Sequence, residues 1–195
     1  AWPFTWRGQR PNQVNRIVYD FNPVERFVCG TVGEPGDRSF FIQARTGARV
    51  TSVGLEKIQA AALGDRVGAI LREIKRGNPL ITYSRLGVDT EPLEQPIFEE
   101  FRVGVIGLSF VTETEMVLVE LQCATPADSD EEELAEDDEE EAPDLLRVSL
   151  TLAQADAFAK RTAAVVGAGR LPCPFCGIAI DNTGHLCPRA NGYRR

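Results

Sequence analysis

Hydrophobic and polar residues alternate over short stretches in the first third of the chain. Strand-forming residues occur there in three clusters centred on Tyr19, Phe27 and Phe41. Turn sequences such as Glu34-Pro35-Gly36-Asp37 separate the later clusters. The pattern therefore predicts a meander of short strands.

The period of the pattern then changes from two to between three and five residues. This spacing predicts an amphipathic helix over residues 55–76, which ends at Gly77-Asn78-Pro79. The apolar positions that carry the helical period are Leu55, Ile58, Ala62, Val67, Ile70 and Ile74.

After a proline-containing connector, the second half repeats this order of elements. FRVGVIGLSFVTETEMVLVELQCA predicts a hairpin with its turn at residues 112–115, and LLRVSL predicts one more strand. TLAQADAFAKRTAAVV predicts a helix over residues 151–166, with Thr151 and Gln154 in the positions of a capping box.

These elements predict an α+β fold, with an antiparallel β-sheet body and two long helices. Shifting the chain by 97 residues places Ser52 on Ser149 and Leu55 on Leu152, so a strands-then-helix pseudo-repeat is one interpretation. The alternative is a single α+β domain whose two unrelated helices pack on the sheet.

Charge is concentrated in one segment of the chain. The net charge is −8, and residues 128–144 hold 12 acidic residues without any Lys or Arg. Outside that run, 17 acidic residues face 21 basic ones, which gives a body of about +4. The run predicts a disordered acidic loop over residues 125–144, which either aids solubility or competes with anionic partners for basic groups on the body.

Three of the five cysteines and the single histidine lie close together near the end of the chain. Cys173-x₂-Cys176, eight residues, then His185-x-Cys187 offers three thiolates and an imidazole, a donor set that zinc prefers. Gly177 can adopt the positive φ that a tight turn between the first two ligands requires. The spacing predicts a zinc-ribbon-like hairpin with a closed, structural zinc site.

Redox, disulfide and iron chemistry are the alternatives for this cluster. A redox Cys-x-x-Cys normally opens a helix, whereas Gly-Ile-Ala-Ile follows here. A structural disulfide suits an exported chain, and the start AWPFTWRGQRPNQ lacks the order of a signal peptide. Cys29 and Cys123 lie in apolar strand contexts, which predicts small buried hydrophobic residues.

The domain organisation follows from these segments. Residues 1–13 are expected to be a disordered N-terminal extension, residues 14–169 the α+β body and residues 170–195 the zinc-binding tail. No apolar run reaches the roughly 18 residues that cross a bilayer, so a cytoplasmic location without membrane partners is expected.

Several motifs together resemble a known family. RFVCGTVGEPGDRSFFIQA, SVGLEK, EFRVGVIGLSF and CPFCG…GHLCPRANGYRR are similar to an actinobacterial family of uncharacterised repeat proteins, domain of unknown function 3090. The resemblance covers roughly residues 15–195. It implies a cytosolic protein of high-GC Gram-positive bacteria, with ligands at Cys173, Cys176, His185 and Cys187, and it implies no particular activity.

Three functions remain as hypotheses. The first is a non-enzymatic interaction protein whose basic end binds a partner, a protein rather than a nucleic acid, through Arg189, Asn191, Tyr193 and Arg194. The second is single-stranded nucleic-acid binding, because strand-rich units each closed by a helix resemble the architecture of PUR and Whirly proteins. The aromatic residues that would stack with bases are Tyr19, Phe27, Phe40 and Phe41.

The third hypothesis is an enzyme of unknown reaction. If His185 binds metal, no histidine remains to act as a general base. The sequence contains no phosphate-binding Gly-x₄-Gly-Lys-Ser/Thr motif. Catalysis is therefore the less favoured interpretation.

Overall fold

The computed structural model describes residues 16–34, 36–125, 133–136, 142–169, 173–177, 180 and 186–189. Within them the chain forms seven strands and two helices, which confirms the α+β class. The elements are β1 (Val18–Phe21), β2 (Arg26–Val32), β3 (Ser39–Thr46), β4 (Arg49–Leu55), α1 (Lys57–Gly77), β5 (Glu99–Val111), β6 (Met116–Cys123), β7 (Leu145–Thr151) and α2 (Leu152–Gly167). Residues 1–13, predicted as an extension, lie outside the described residues.

The strands form one sheet in the order β1-β7-β6-β5-β4-β3-β2. Strands β2-β3-β4 and β5-β6-β7 each form an antiparallel meander. The Tyr19 strand was predicted to belong to the first meander, but β1 pairs with β7 instead. The sheet as a whole is mixed, because β4 pairs with β5 and β1 with β7 in parallel. A parallel pair needs a long crossover, and residues 56–98, with α1 among them, supply it between β4 and β5. Three antiparallel strands followed by one helix thus occur twice, as β2-β3-β4-α1 and β5-β6-β7-α2.

A short link forces the sheet to curl. Strands β1 and β2 lie at opposite ends of the sheet order, which in a flat sheet would separate them by about 29 Å. Residues 22–25 connect them and reach at most about 17 Å. Strand β1 accordingly approaches the other half of the sheet, where it contacts β3. Arg49 Nη1 on β4 donates to the Asp20 carbonyl over 2.8 Å, and its guanidinium lies 4.3 Å from the centre of the Phe21 ring.

The two helices pack on each other and on the inner face of this curled sheet. Helix α2 contacts β2, β6 and β7, while α1 contacts β3 and β5. One continuous core results, with inward-facing side chains such as Phe27, Ile42 and Val119.

The buried stripe of α1 differs from the predicted one. It consists of Ala60, Leu63, Gly64, Val67 and Leu71. The side chain of Ile58 is 78% exposed, because at about 100° per residue it lies almost opposite Val67 on the helix. Ala62 is exposed as well. The helical period was therefore predicted correctly, whereas Ile58 and Ala62 were wrong as core positions.

In the first turn of each helix, a glutamine lies three residues after the N-cap residue. The predicted pair Thr151 and Gln154 forms a reciprocal capping box, and Gln59 Oε1 accepts the Glu56 N–H over 2.8 Å at the start of α1. Both glutamines also reach a distant backbone carbonyl: Gln59 Nε2 donates to Val103, and Gln154 Nε2 donates to Val24. The two caps lie 95 residues apart, rather than the 97 of the sequence alignment.

An arginine network ties α2 to the connector that follows α1. Arg161 is 6% exposed and donates to the Cys29 carbonyl, to the Glu91 carbonyl and to Asp89 Oδ1. Arg26 of β2 donates to Asp89 Oδ2 over 2.6 Å. Hydrogen bonding from Arg26 holds the pKa of Asp89 below its usual value. Burial lowers the pKa of Arg161, although the negative charge of Asp89 acts to raise it.

We expect Asp89→Asn to lower the free energy of unfolding at pH 7 by about 2 kcal/mol, the range for hydrogen bonds to charged groups. Because the pKa of Asp89 is lower in the folded state, its carboxylate stabilises the fold fully above its unfolded pKa, about 3.9. That contribution is lost as pH falls through the folded pKa. Urea titrations at pH 7 and pH 3 should therefore differ less for Asp89→Asn than for the wild type. The exposed Asp65→Asn is the control, and an equal effect of both variants would contradict the assignment.

Candidate metal centre

Three cysteine sulfurs converge in the C-terminal tail. The Sγ atoms of Cys173, Cys176 and Cys187 all lie within 4.8 Å of one another, and those of Cys173 and Cys187 are 3.7 Å apart. A tetrahedral site with Zn–S bonds of about 2.3 Å has sulfur–sulfur edges of about 3.8 Å. All five cysteines are described and none is in a disulfide. The three sulfurs could therefore hold one metal ion.

A tight turn brings the first two cysteines together. The Gly177 N–H donates to the Cys173 carbonyl over 2.8 Å, and Gly177 has φ +75°, as its sequence position predicted. Cys173 and Cys187 are buried, at 5% and 7% exposure. Desolvation acts to raise the pKa of Cys173, but hydrogen bonds from the backbone of Phe175 and Cys176 and from the neighbouring thiols hold that pKa below its usual value. The turn thus favours a thiolate, the form that binds metal.

The two ligand-bearing segments are joined by an arginine and expose two apolar side chains. Arg189 Nη1 donates to the Phe175 carbonyl over 3.1 Å. Phe175 is 62% exposed and Leu186 is 86% exposed. In the described part of the tail, the cysteine sulfurs therefore lie inside, while Phe175, Leu186 and the charged Arg189 are exposed.

The structure accounts for some of the predicted site residues. Of the four predicted ligands it brings Cys173, Cys176 and Cys187 together, and it places Arg189 beside them. His185 and the proposed partner-binding residues Asn191, Tyr193 and Arg194 lie outside the described residues.

The two remaining cysteines lie in the body. Cys29 is fully buried in the core, and desolvation raises its pKa to about 11. Cys123 is half-buried, and desolvation raises its pKa too. The prediction that these are packing residues is confirmed for Cys29, whereas Cys123 is less buried than predicted.

The aromatic residues considered for base stacking lie mostly in the core. Phe27, Phe40 and Phe41 are buried, so their rings face other protein atoms. Tyr19 is half-buried, and its hydroxyl donates to Glu100 Oε2 over 3.0 Å. Burial and this carboxylate raise the pKa of Tyr19 to about 12. These aromatic residues do not form an exposed stacking platform.

Sequence reasoning missed a groove of about 500 Å³ between the two helices. Small residues on both helices form its floor, and a clue to them was their spacing of four residues, at Gly64 and Gly68 and again at Ala159 and Ala163. Tyr83 of the connector lines it as well. The charged lining residues are Arg72, Lys75, Arg85, Lys160, Asp65 and Asp156.

The fold and site define an α+β protein with a curled mixed sheet and a candidate C-terminal metal centre. The chain belongs to the family described as Protein of unknown function (DUF3090), whose sequence profile matches residues 19–187. That match confirms the family resemblance. No curated protein and no solved structure matches the chain. Among the described residues, no helix is both long and apolar enough to cross a membrane.

Proposed function

We propose that this chain is a cytoplasmic interaction protein whose C-terminal tail folds around a structural zinc ion. The ligands are Cys173, Cys176, His185 and Cys187. The observation that supports the proposal is the size of the sulfur triangle, whose 3.7 Å edge suits a tetrahedral ion. His185 is two residues from Cys187 in the sequence and supplies the fourth donor.

The donor set favours a structural role for the ion. Four protein ligands close a tetrahedral site and leave no position for a water molecule, whereas catalytic zinc keeps one position open. A tail of about 25 residues is too short to bury a core of its own. Metal ligation therefore supplies most of the free energy that folds the tail.

We expect about one equivalent of zinc per chain, and its loss in Cys176→Ser. Removing one thiolate opens the site and lowers its affinity, while the body keeps its own core. Elemental analysis measures the metal, and far-UV circular dichroism checks the body. Cys123→Ser is the matched control because its sulfur lies outside the cluster. Wild-type protein with an ordered tail but no metal would disprove the proposal.

The exposed apolar side chains of the tail support protein binding. Phe175 and Leu186 each lie next to a predicted ligand, so a closed metal site would hold both of them rigidly at low entropic cost. Exposed aromatic and aliphatic residues on a rigid support are typical anchors of protein interfaces. Arg189, Asn191, Tyr193 and Arg194 then contribute a polar rim.

We expect the double variant Phe175→Ser, Leu186→Ser to retain zinc but lose its protein partner. The measurement is recovery of nuclease-resistant partners by tagged protein from extract of its native host. Ile58→Ser is the control, since Ile58 is an equally exposed apolar residue on α1. Recovery of the same partner by both variants would contradict a role for the tail surface.

Single-stranded nucleic-acid binding is a second candidate, which the groove between the helices favours. Four cations line it against two carboxylates, and Asp156 already pairs with Lys160. Arg72, Lys75 and Arg85 form no ion pair within the described part of the chain. The groove therefore retains a positive charge that suits a phosphate backbone.

We expect the variant Arg72→Glu, Arg85→Glu to weaken binding of a labelled single-stranded 20-mer. The slope of log affinity against log salt should fall by about 0.7 for each phosphate that the variant no longer neutralises. Fluorescence anisotropy at two salt concentrations measures both quantities. Arg66→Glu is the control on α1 outside the groove. If wild-type protein does not bind, or if the control weakens binding equally, this second candidate is wrong.

A further inference from the structure

The two strand meanders carry the same pair of outward-facing residues. Gly30 on β2 lies two positions along the ladder from the residue that pairs with Gln43 of β3. Gly107 on β5 lies in the same relation to Gln122 of β6. A glycine on one strand and a glutamine on the next thus form a small site twice, at corresponding positions in the two halves.

In the first half the connector fills this site. A Cβ on Gly30 would lie 2.5 Å from Leu93 Cγ, so the leucine sits in the space that the glycine leaves. The Glu94 N–H donates to Gln43 Oε1 over 2.8 Å, and Gln43 Nε2 donates to the Glu94 carbonyl over 3.1 Å. The side-chain amide of Gln43 has one acceptor and one donor group. Both form hydrogen bonds with the backbone of Glu94, the residue after the leucine.

In the second half a piece of the acidic segment fills the site. A Cβ on Gly107 would overlap the Leu134 side chain. The Ala135 N–H donates to Gln122 Oε1 over 2.8 Å, and Gln122 Nε2 donates to the Glu133 carbonyl over 3.2 Å. In both halves the glutamine oxygen accepts the N–H of the residue after the leucine, although the carbonyl partner differs.

The first occupant is held firmly. Leu93 is 7% exposed and packs with Val28, Phe41 and Ile97. The carboxylate of the following residue, Glu94, forms an ion pair with Arg45 at 2.8 Å. This occupant is part of the fold.

The second occupant is less buried than the first. Leu134 is only half-buried, and the residues on either side of the 133–136 segment belong to the acidic run. Like charges close together in sequence repel one another, which opposes a compact docked segment. Beyond the glutamine contacts, Arg16 Nη1 donates to the Glu136 carbonyl over 3.1 Å. The contrast between the two halves indicates that the second site can exchange its occupant.

We propose that the surface formed by Gly107 and Gln122 is a peptide-binding site. Its ligand is an extended segment of a partner protein that inserts one leucine beside the glycine and pairs its backbone with the glutamine amide. Residues 133–136 fill the site in the free protein and must leave before the partner binds. This site shares no residue with the metal centre, and the proposal does not rest on the zinc ion.

The test uses full-length Leu134→Ser, which empties the site, and a fluorescein-labelled peptide with the sequence of residues 131–137, EEELAED. A tethered competitor acts at an effective concentration on the order of millimolar. We therefore expect the peptide to bind Leu134→Ser about tenfold more tightly than the wild type. The peptide with serine in place of leucine should not bind.

A glycine pair provides the matched control. In the Leu134→Ser background, Gly107→Ala should abolish peptide binding because its methyl group fills the leucine site. Gly87→Ala should leave binding unchanged, since a Cβ there meets no atom within 4 Å. Equal binding by the wild type and Leu134→Ser, absence of binding by folded Leu134→Ser, or binding that survives Gly107→Ala would each overturn the proposal.

Hydrogen exchange examines the occupied site directly. The Ala135 amide should be protected in the wild type and should exchange faster in the single variant Gly107→Ala, because the leucine is displaced. Fast exchange in the wild type would overturn the proposal. Sedimentation at rising concentration separates the sources of the ligand: a Leu134→Ser dimer that the peptide dissociates would overturn a separate partner in favour of a second copy of this chain.

Discussion

The link of residues 22–25 is the constraint on which the rest of the fold depends. Because it joins strands at opposite ends of the sheet, the sheet must curl until those strands lie within about 17 Å of each other, and a curled sheet has an inside. That inside takes most of the large apolar side chains of the strands, and the two helices cover what the sheet leaves open. Arg49 of β4 stabilises the curled form, since it donates a hydrogen bond to the Asp20 carbonyl of β1 and lies over the Phe21 ring. A longer link would remove the geometric reason for closure, even with every strand unchanged.

The interactions that join the two halves are exchanged between them. Gln59 caps the first helix and bonds to β5 of the second half, while Gln154 caps the second helix and bonds to Val24 of the first half. Each helix start is thereby fixed to a segment that it does not follow directly in sequence: α1 to strand β5, and α2 to the link between β1 and β2. The arginine network adds a third link, because Arg161 on α2 holds both β2 and the connector. Neither half has a complete set of polar partners alone, so the two are expected to fold as one cooperative unit.

Features of the fold that depend on local residue spacing were predicted from the sequence. Features that depend on contacts between residues far apart in the chain were not. Alternation located the strands, and the Thr151–Gln154 box located a helix start, because these signals span fewer than ten residues. The parallel pairing of β4 with β5 could not be predicted, since no local pattern records which edges meet after a long crossover. For the same reason the alignment at 97 residues missed the structural offset of 95. The cysteine spacing predicted which sulfurs come together. The exposure of Phe175 was not predicted, because it depends on the orientation of the turn relative to the rest of the tail.

The two surfaces proposed for recognition arise from different local features of the chain. In the tail, the turn after Cys173 is too short for a core and leaves its apolar side chain in solvent. On the sheet, Gly107 leaves a space beside the amide of Gln122. An extended segment can fill that space with a side chain and form backbone hydrogen bonds with the amide. In the first half the connector fills the corresponding space permanently, because Leu93 is buried and ion pairs of Glu94 hold the connector in place. The second half has the same glycine and glutamine, but its occupant is acidic and less buried, and the proposed exchange depends on that difference.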